Sequence, residues 1–468
     1  MDTGRSPADD GQSMTRSLTR KRERPLGVTE LVAIALGGMV GGGIFASLGV
    51  SVEFVGNATP VAILMGGLLA LCAAYSYVKL ALLYKDEGAT YSFYKRTFPR
   101  SPLAASVIGW LISFGYISTL ALYAFTFSSY FSTAFGITDQ PWIRKGVAGL
   151  VILLFVAVNL TSVKGMGRFE DAMVYTKVVL LLVISGLLAG KGDIRQALPV
   201  VETGTTWASI VTIAAVTFVA YEGFQLVIHA YEETVDPQRN IPRAIYSAIV
   251  IATVLYVALA VGALATIPKE ELIAGKEYAL AAGSARILGQ FGYFIVLFGA
   301  LLATSSAISG TLFGASRLMA VIAADGHFPK ALGARTRGHI PRNAIWTMFA
   351  VAFLLILVGG LQLILEFGSV TFIVVSFLMA VANFRMRRET DSNVVLTLAA
   401  MGSLLGAGSL VLYFEFMRAP EQLISILIIY GSLILAAFIR SRYMSRPEVR
   451  EGMNIDPGYE DPDDAPAE

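Results

Sequence analysis

Charge, sulfur and imidazole are all scarce in this chain. Of its 468 residues only 15% are Asp, Glu, Lys or Arg, with one cysteine and three histidines. A water-soluble domain carries about 25% charged residues, so a soluble globular protein is excluded. The single thiol, Cys72, lies in an apolar run and can make neither an internal disulfide nor a cysteine metal cluster, which leaves it the role of a small buried residue. His229, His327 and His339 stand at no metal-ligand spacing, and His229, on the sixth apolar segment, reads as a packing or cavity-lining group. No Walker-type phosphate loop occurs and no nucleophile stands beside a base, so neither ATP-driven work nor enzymatic catalysis is expected, and no cofactor. With 36 basic against 34 acidic residues there is no surplus of positive charge to hold nucleic acid.

What is abundant is apolar. Hydrophobic residues make up 55% of the chain and the mean hydropathy is +0.65. Twelve apolar segments can be marked off, each about 20 residues long and thus able to cross a bilayer as a helix. The expected fold is an all-α, multi-pass membrane protein. Residues 1–24 are polar and basic without a signal-peptide core and read as a disordered arm. Residues 25–390 hold the first ten spans, 391–442 the last two, and 443–468 an acidic disordered tail. An even number of spans puts both ends on one side. Lys and Arg are in roughly threefold excess on that side, so both termini are expected in the cytoplasm and the protein in the plasma membrane.

Two places interrupt the apolar pattern. Gly37, Gly38, Gly41, Gly42 and Gly43 crowd the middle of the first span, where each glycine costs a helix about 1 kcal/mol relative to alanine. Two readings are open: a backbone that unwinds to line a cavity, or small residues that let helices pack closely. A second interruption, Ala220-Tyr221-Glu222-Gly223-Phe224, falls in the sixth span, five spans later. Five is odd, so the halves enter the membrane from opposite sides. Paired interruptions in inverted halves point to a midplane site in a secondary transporter. Two broken helices present free N–H groups at one end and free carbonyls at the other, which suits a zwitterion such as an α-amino acid.

These residues resemble a known family. Gly38-Met39-Val40-Gly41-Gly42-Gly43-Ile44-Phe45 resembles the first-helix signature of the amino acid–polyamine–organocation transporters. Phe218-Val219-Ala220-Tyr221-Glu222-Gly223-Phe224 and the later Asp236-Pro237-Gln238-Arg239-Asn240-Ile241-Pro242 are similar to that family's sixth helix and the loop after it. Gly314-Ala315-Ser316-Arg317, with Asp325-Gly326-His327-Phe328-Pro329 downstream, looks like the end of its eighth. The resemblance implies a five-plus-five inverted repeat with helices 1 and 6 discontinuous. It also implies a substrate carboxylate on the backbone N–H groups near Gly41, Gly42 and Gly43, and an ammonium on the carbonyls of Met39, Val219, Ala220 and Glu222. Where many relatives place a gating aromatic this chain has Val219, with Phe218 beside it.

Lys177, in the fifth span, is a cation at membrane depth, where an unpaired ammonium costs several kcal/mol. It either titrates or snorkels to the interface. Its place resembles the fifth-helix lysine of proton-coupled relatives, which implies an approach to first-helix carbonyls near Gly38 and to Ser305 or Ser306. Glu222 is either a proton carrier or the partner of a nearby polar group. Lys79 reads as snorkelling. Phe114, Tyr116 and Tyr123 of the third span either line a side-chain pocket or pack helices.

The expected function is secondary active transport of amino acids by alternating access, in symport with protons. The partners are then an amino acid, a proton and lipid. An exchanger, a polyamine carrier and a non-transporting amino acid sensor are the alternatives. Oligomeric state leaves no mark in the sequence.

Overall fold

The computed structural model describes residues 26–444, apart from 87, 138–139, 162–165, 276–277 and 337–339. The expected arms at 1–24 and 443–468 lie outside the described residues, except that 443 and 444 close the last helix. Among the described residues there is no strand, only one bridge between Leu26 and Thr234. Sixteen α-helices follow in order. The first half of the core holds α1 (Val28–Met39), α2 (Gly42–Val55), α3 (Thr59–Tyr84), α4 (Ala89–Thr97), α5 (Pro102–Ala134), α6 (Pro141–Thr161) and α7 (Met166–Lys191). The second half holds α8 (Trp207–Val216), α9 (Pro237–Thr266), α10 (Lys269–Gly275), α11 (Ala279–Ala324), α12 (Lys330–Gly333), α13 (Arg342–Val358) and α14 (Leu361–Arg385). Two more, α15 (Val394–Arg418) and α16 (Pro420–Met444), complete the chain.

Ten stretches are long and apolar enough to cross a membrane, with α2 and α3 running together as one, and α1 and α13 are shorter apolar helices. Joining α1 to α2 as one interrupted crossing and separating α3 gives twelve crossings, the expected number. Starts and stops follow local chemistry. Proline opens α5 and α9 at a position where a missing N–H is harmless, and the Ser101 hydroxyl caps α5 by accepting from the Ala104 N–H at 3.2 Å. The Thr206 hydroxyl does the same for α8. The long α11 bends at Gly289, whose φ of +63° no branched side chain tolerates, and its stretch long and apolar enough to cross a membrane runs over Leu288–Ala324.

The two ends of the described chain share one side. Leu26 pairs with the loop after the sixth crossing, donating to Glu233 O at 2.8 Å and accepting from the Val235 N–H at 3.0 Å. Arg440 on α16 reaches the carbonyls of Gly326 and Phe328 after α11, at 2.5 and 2.9 Å. Lys79 sits at the same level, where its ammonium donates to the carbonyls of Thr390 and Asp391. We call this the terminal side. On the far side Asn57 donates to Pro199 O and Lys145 to Leu357 O.

Packing follows the two halves. In the core α5 lies along α11 and α3 along α9, each pair made of elements holding equivalent places in the two five-crossing sets. α15 and α16 close the outside, and they turn large apolar side chains such as Val395 and Ile428 outward, 74% and 65% exposed, as a lipid-facing surface requires. Cys72 is half-buried rather than buried.

Candidate functional site

The first crossing does open in its glycine run. α1 stops at Met39, the Val40 N–H still donates to Leu36 O at 2.8 Å, and the Gly41 N–H turns back to Met39 O at 2.9 Å before α2 starts. The first N–H groups of α2, at Gly42 and Gly43, therefore have no acceptor within their own helix. The glycines also pack. A Cβ on Gly41 would meet Ala307 Cβ at 2.9 Å, one on Gly42 would meet Thr304 and Tyr123, and one on Gly43 would meet Ala220 Cα at 3.0 Å. The unwound and the close-packed readings of this stretch are both realised, on different faces of the same turn.

The sixth crossing opens in stages. α8 ends at Val216, tightens to a 3₁₀ turn over Thr217–Tyr221, breaks at Glu222 and Gly223, and resumes as 3₁₀ helix over Phe224–Ala230. Gly223 has φ +125°, a conformation that only glycine adopts cheaply. It lies directly on the first break: a Cβ there would stand 2.5 Å from Gly38 C and 2.8 Å from Met39 N. Side chains from neighbouring helices hold the freed backbone. Tyr256 on α9 donates to Met39 O at 2.8 Å and lies 3.1 Å from Ala220 O, Tyr221 donates to Ile63 O at 2.7 Å, and Ser369 bridges Val216 O and the Val219 N–H. These contacts satisfy groups that lipid cannot.

Lys177 of α7 is fully buried. Its Nζ donates to Gly37 O at 2.7 Å and to Ser306 Oγ at 3.4 Å, so it reaches one turn of α1 and the facing turn of α11 together. Ser305, the neighbouring candidate, is half-buried and is not the hydroxyl that meets it. Glu222, 4% exposed, accepts from the Gln225 side-chain amide, which also reaches the Tyr116 hydroxyl at 3.2 Å.

A cavity of about 210 Å³ lies against these groups. Gly37, Gly38, Glu222, Gly223, Ser306, Tyr116 and Tyr123 form its inner end, and Ile34, His229, Thr311 and Leu318 continue it. The latter residues belong to the terminal-side halves of the first, sixth and eighth crossings, so the cavity runs towards the terminal side. On the far side of the break, Gly43 packs on Ala220 and Phe45 makes an edge-on contact with Tyr130, 5.8 Å between ring centres.

Of the residues expected to hold substrate, Glu222 is on the cavity wall. Gly41, Gly42, Gly43, Val219 and Ala220 are not, because α2 and the Thr217–Tyr221 turn are packed on each other. Met39 O already accepts from both Gly41 N–H and Tyr256, which occupies both lone pairs of that carbonyl. Phe218 is fully buried and away from the cavity. Two polar residues of the site, Tyr256 and Gln225, escaped the sequence reading. The available signal was a hydrogen-bonding side chain inside an apolar segment, and in tyrosine it is masked by the ring. Among the described residues no group of three or more His, Cys, Asp or Glu is placed to hold a metal, and His339 lies outside them.

Comparison with known proteins adds a second line. Residues 26–439 match a family model described as amino acid permease. The chain is similar to the inner membrane transport protein YbaT of Escherichia coli, 28% identical over 89% of this chain and 95% of that protein. It is similar to the branched-chain amino acid permease BcaP of Bacillus subtilis, 25% identical over 78% and 82%. With the large neutral amino acids transporter small subunit 2 of Mus musculus it shares 28% identity over 70% of this chain and 63% of the relative.

Proposed function

Because the chain belongs to the amino acid permease family, within the amino acid–polyamine–organocation superfamily, we propose that it carries amino acids across the plasma membrane by alternating access, in symport with protons. The observation that carries the proton is Lys177, buried at membrane depth with its Nζ 2.7 Å from Gly37 O and 3.4 Å from Ser306 Oγ. As an ammonium it ties α1 to α11 through two charge-assisted bonds, worth about 1.5–3 kcal/mol each. Loss of the proton weakens both and frees the α1 turn. Proton occupancy is thereby linked to the position of α1, the helix that borders the cavity.

The amino acid enters from the terminal side, taken as cytoplasmic on the excess of basic residues there, or leaves towards it. Its carboxylate goes to the N–H groups of Gly42 and Gly43 at the positive end of α2. Its ammonium donates to the carbonyls of the Val219–Glu222 turn and to that of Met39, where it displaces the Tyr256 hydroxyl or shares the oxygen with it. Both contacts require the Gly43–Ala220 apposition to part. Phe218 moves with the same turn and gates it.

The test is uptake by the purified protein in proteoliposomes, with labelled amino acids and an imposed pH gradient, a sodium gradient, or internal substrate alone. Accumulation driven by the pH gradient and lost in Lys177→Ala is the expected result. Uptake that follows sodium and ignores pH, or needs internal substrate only, would overturn the proton assignment. Binding without flux under every condition would indicate a sensor.

A further inference from the structure

Two carboxyl groups meet outside the cavity, where α14 and α15 pack together at their far-side ends. Glu366 stands in the second turn of α14 and Glu415 in the last turn of α15. Both are withdrawn from solvent, at 1% and 0% exposure, and their side chains are close enough to share a hydrogen between them. Gln362 Nε2 donates to Glu366 Oε1 at 2.7 Å. Glu366 Oε2 and both oxygens of Glu415 are buried with no donor among the described residues.

Among the described residues no lysine, arginine or histidine pairs with either acid. The neighbouring helices explain why. α5 and α8 contain no ionisable Asp, Glu, Lys, Arg or His, and α3, α4 and α13 carry theirs towards the terminal side. At the far-side end stand Glu53 of α2, Arg418 of α15 and Glu421 of α16, and the Arg418 guanidinium lies over the Phe414 ring, 5.6 Å from its centre. Tyr430 of α16 is engaged with the Thr371 hydroxyl at 2.7 Å. Two neighbouring carboxylates withdrawn from water repel each other, and one neutral donor does not offset them. A single proton does. The protonated carboxyl donates its O–H to the other's oxygen, a charge-assisted bond, and the pair then carries one negative charge instead of two. Gln362, half-buried in the first turn of α14, extends the polar groups towards the far-side solution.

We propose that Glu366 and Glu415 form a proton-binding site, separate from Lys177, in which one proton taken from the far-side solution is held between the two carboxyl groups and clamps α15 to α14. The next turn of α14 carries Ser369, which bridges Val216 O and the Val219 N–H, so the clamp sits one turn from the helix that supports the sixth crossing at its break. The site is independent of where substrate seats.

Infrared spectra of the purified protein in detergent, recorded from about pH 6 to about pH 10, test it, because a protonated carboxyl has a carbonyl stretch that a carboxylate lacks. The wild-type band that titrates should exceed that of Glu366→Gln/Glu415→Gln by one carboxyl group per chain. Equal bands would overturn the site, and a wild-type protein with no titrating band would do so without any variant. Thermal unfolding reads the clamp. In the unfolded chain the two acids are apart, so removal of the shared proton penalises the native state alone, and wild-type Tm should fall by several degrees as pH rises through the same window. Glu415→Gln replaces the shared proton by an amide N–H, so its Tm should stay level. Wild-type and Glu415→Gln profiles that run parallel would show that no proton is shared and refute the clamp.

Discussion

Replacing Gly223 by alanine puts one methyl group into the point where the two broken helices touch. Two costs follow from the structure. The residue sits at φ +125°, where an L side chain is strained by about 1–3 kcal/mol. The new Cβ would then stand 2.5 Å from Gly38 C and 2.8 Å from Gly38 Cα and Met39 N, all backbone atoms that no rotamer change can move aside. Relief requires α1 to shift, and overpacking of this kind costs about 1–3 kcal/mol more. The sum, about 2–6 kcal/mol, falls on the conformation described here. Thermal unfolding of the purified protein should show Tm lowered by several degrees, and competition binding should show a changed affinity, since the same atoms border the cavity. Gly402→Ala is the control. It changes the same atoms on α15, where nothing lies within 4 Å, and alanine is the better helix former, so Tm should hold or rise slightly. A Gly223→Ala protein indistinguishable from wild type, or a Gly402→Ala protein equally damaged, would refute the claim that the breaks are in backbone contact.

Tyr256→Phe removes the hydroxyl that bonds Met39 O and approaches Ala220 O while preserving the ring, which packs 5.4 Å from that of Tyr221. Met39 O keeps its bond from Gly41, and Ala220 O loses its hydroxyl partner, so a loss of about 1–3 kcal/mol is expected in denaturant or thermal unfolding; unchanged stability would mean that the hydroxyl bond is not formed in the membrane protein. His327, in the loop between α11 and α12 on the terminal side, is held by burial down to about 4, with Asp325 opposing. Its folded value lies below its unfolded one, so the unfolded chain binds the proton first and stability falls as pH drops from about 6.5 to about 4, by on the order of 2–3 kcal/mol. His327→Gln should flatten the Tm profile in that window, and a profile as steep as wild type would assign the dependence to other groups.

Much of the architecture was legible because lipid leaves few options. Twelve crossings follow from length and hydropathy, and the interruptions at Gly41 and Gly223 from the energetic penalty glycine imposes on a helix. Lys177 and Glu222 stood out because a charge at membrane depth has to be accounted for. The sequence reads Lys79 as snorkelling, and its ammonium ends on the loop carbonyls of Thr390 and Asp391 at the terminal side. Tyr256 and Gln225 were not legible, since neither is charged and their importance arises from carbonyls and carboxylates that come from other helices.

The sequence by itself determined that this protein is a bundle of membrane helices broken in two places, because hydropathy and glycine content act locally and need no partner. It also determined that cations and carboxylates lie within those helices. Only the tertiary structure decided that Gly223 rests on Gly38, that Lys177 reaches Gly37 and Ser306, and that the cavity runs towards the terminal side with Gly43 and Ala220 shut together. Those relations join crossings far apart in the chain. They depend on how closely two backbones approach, a distance set by the packing of every helix around them rather than by any stretch of residues alone.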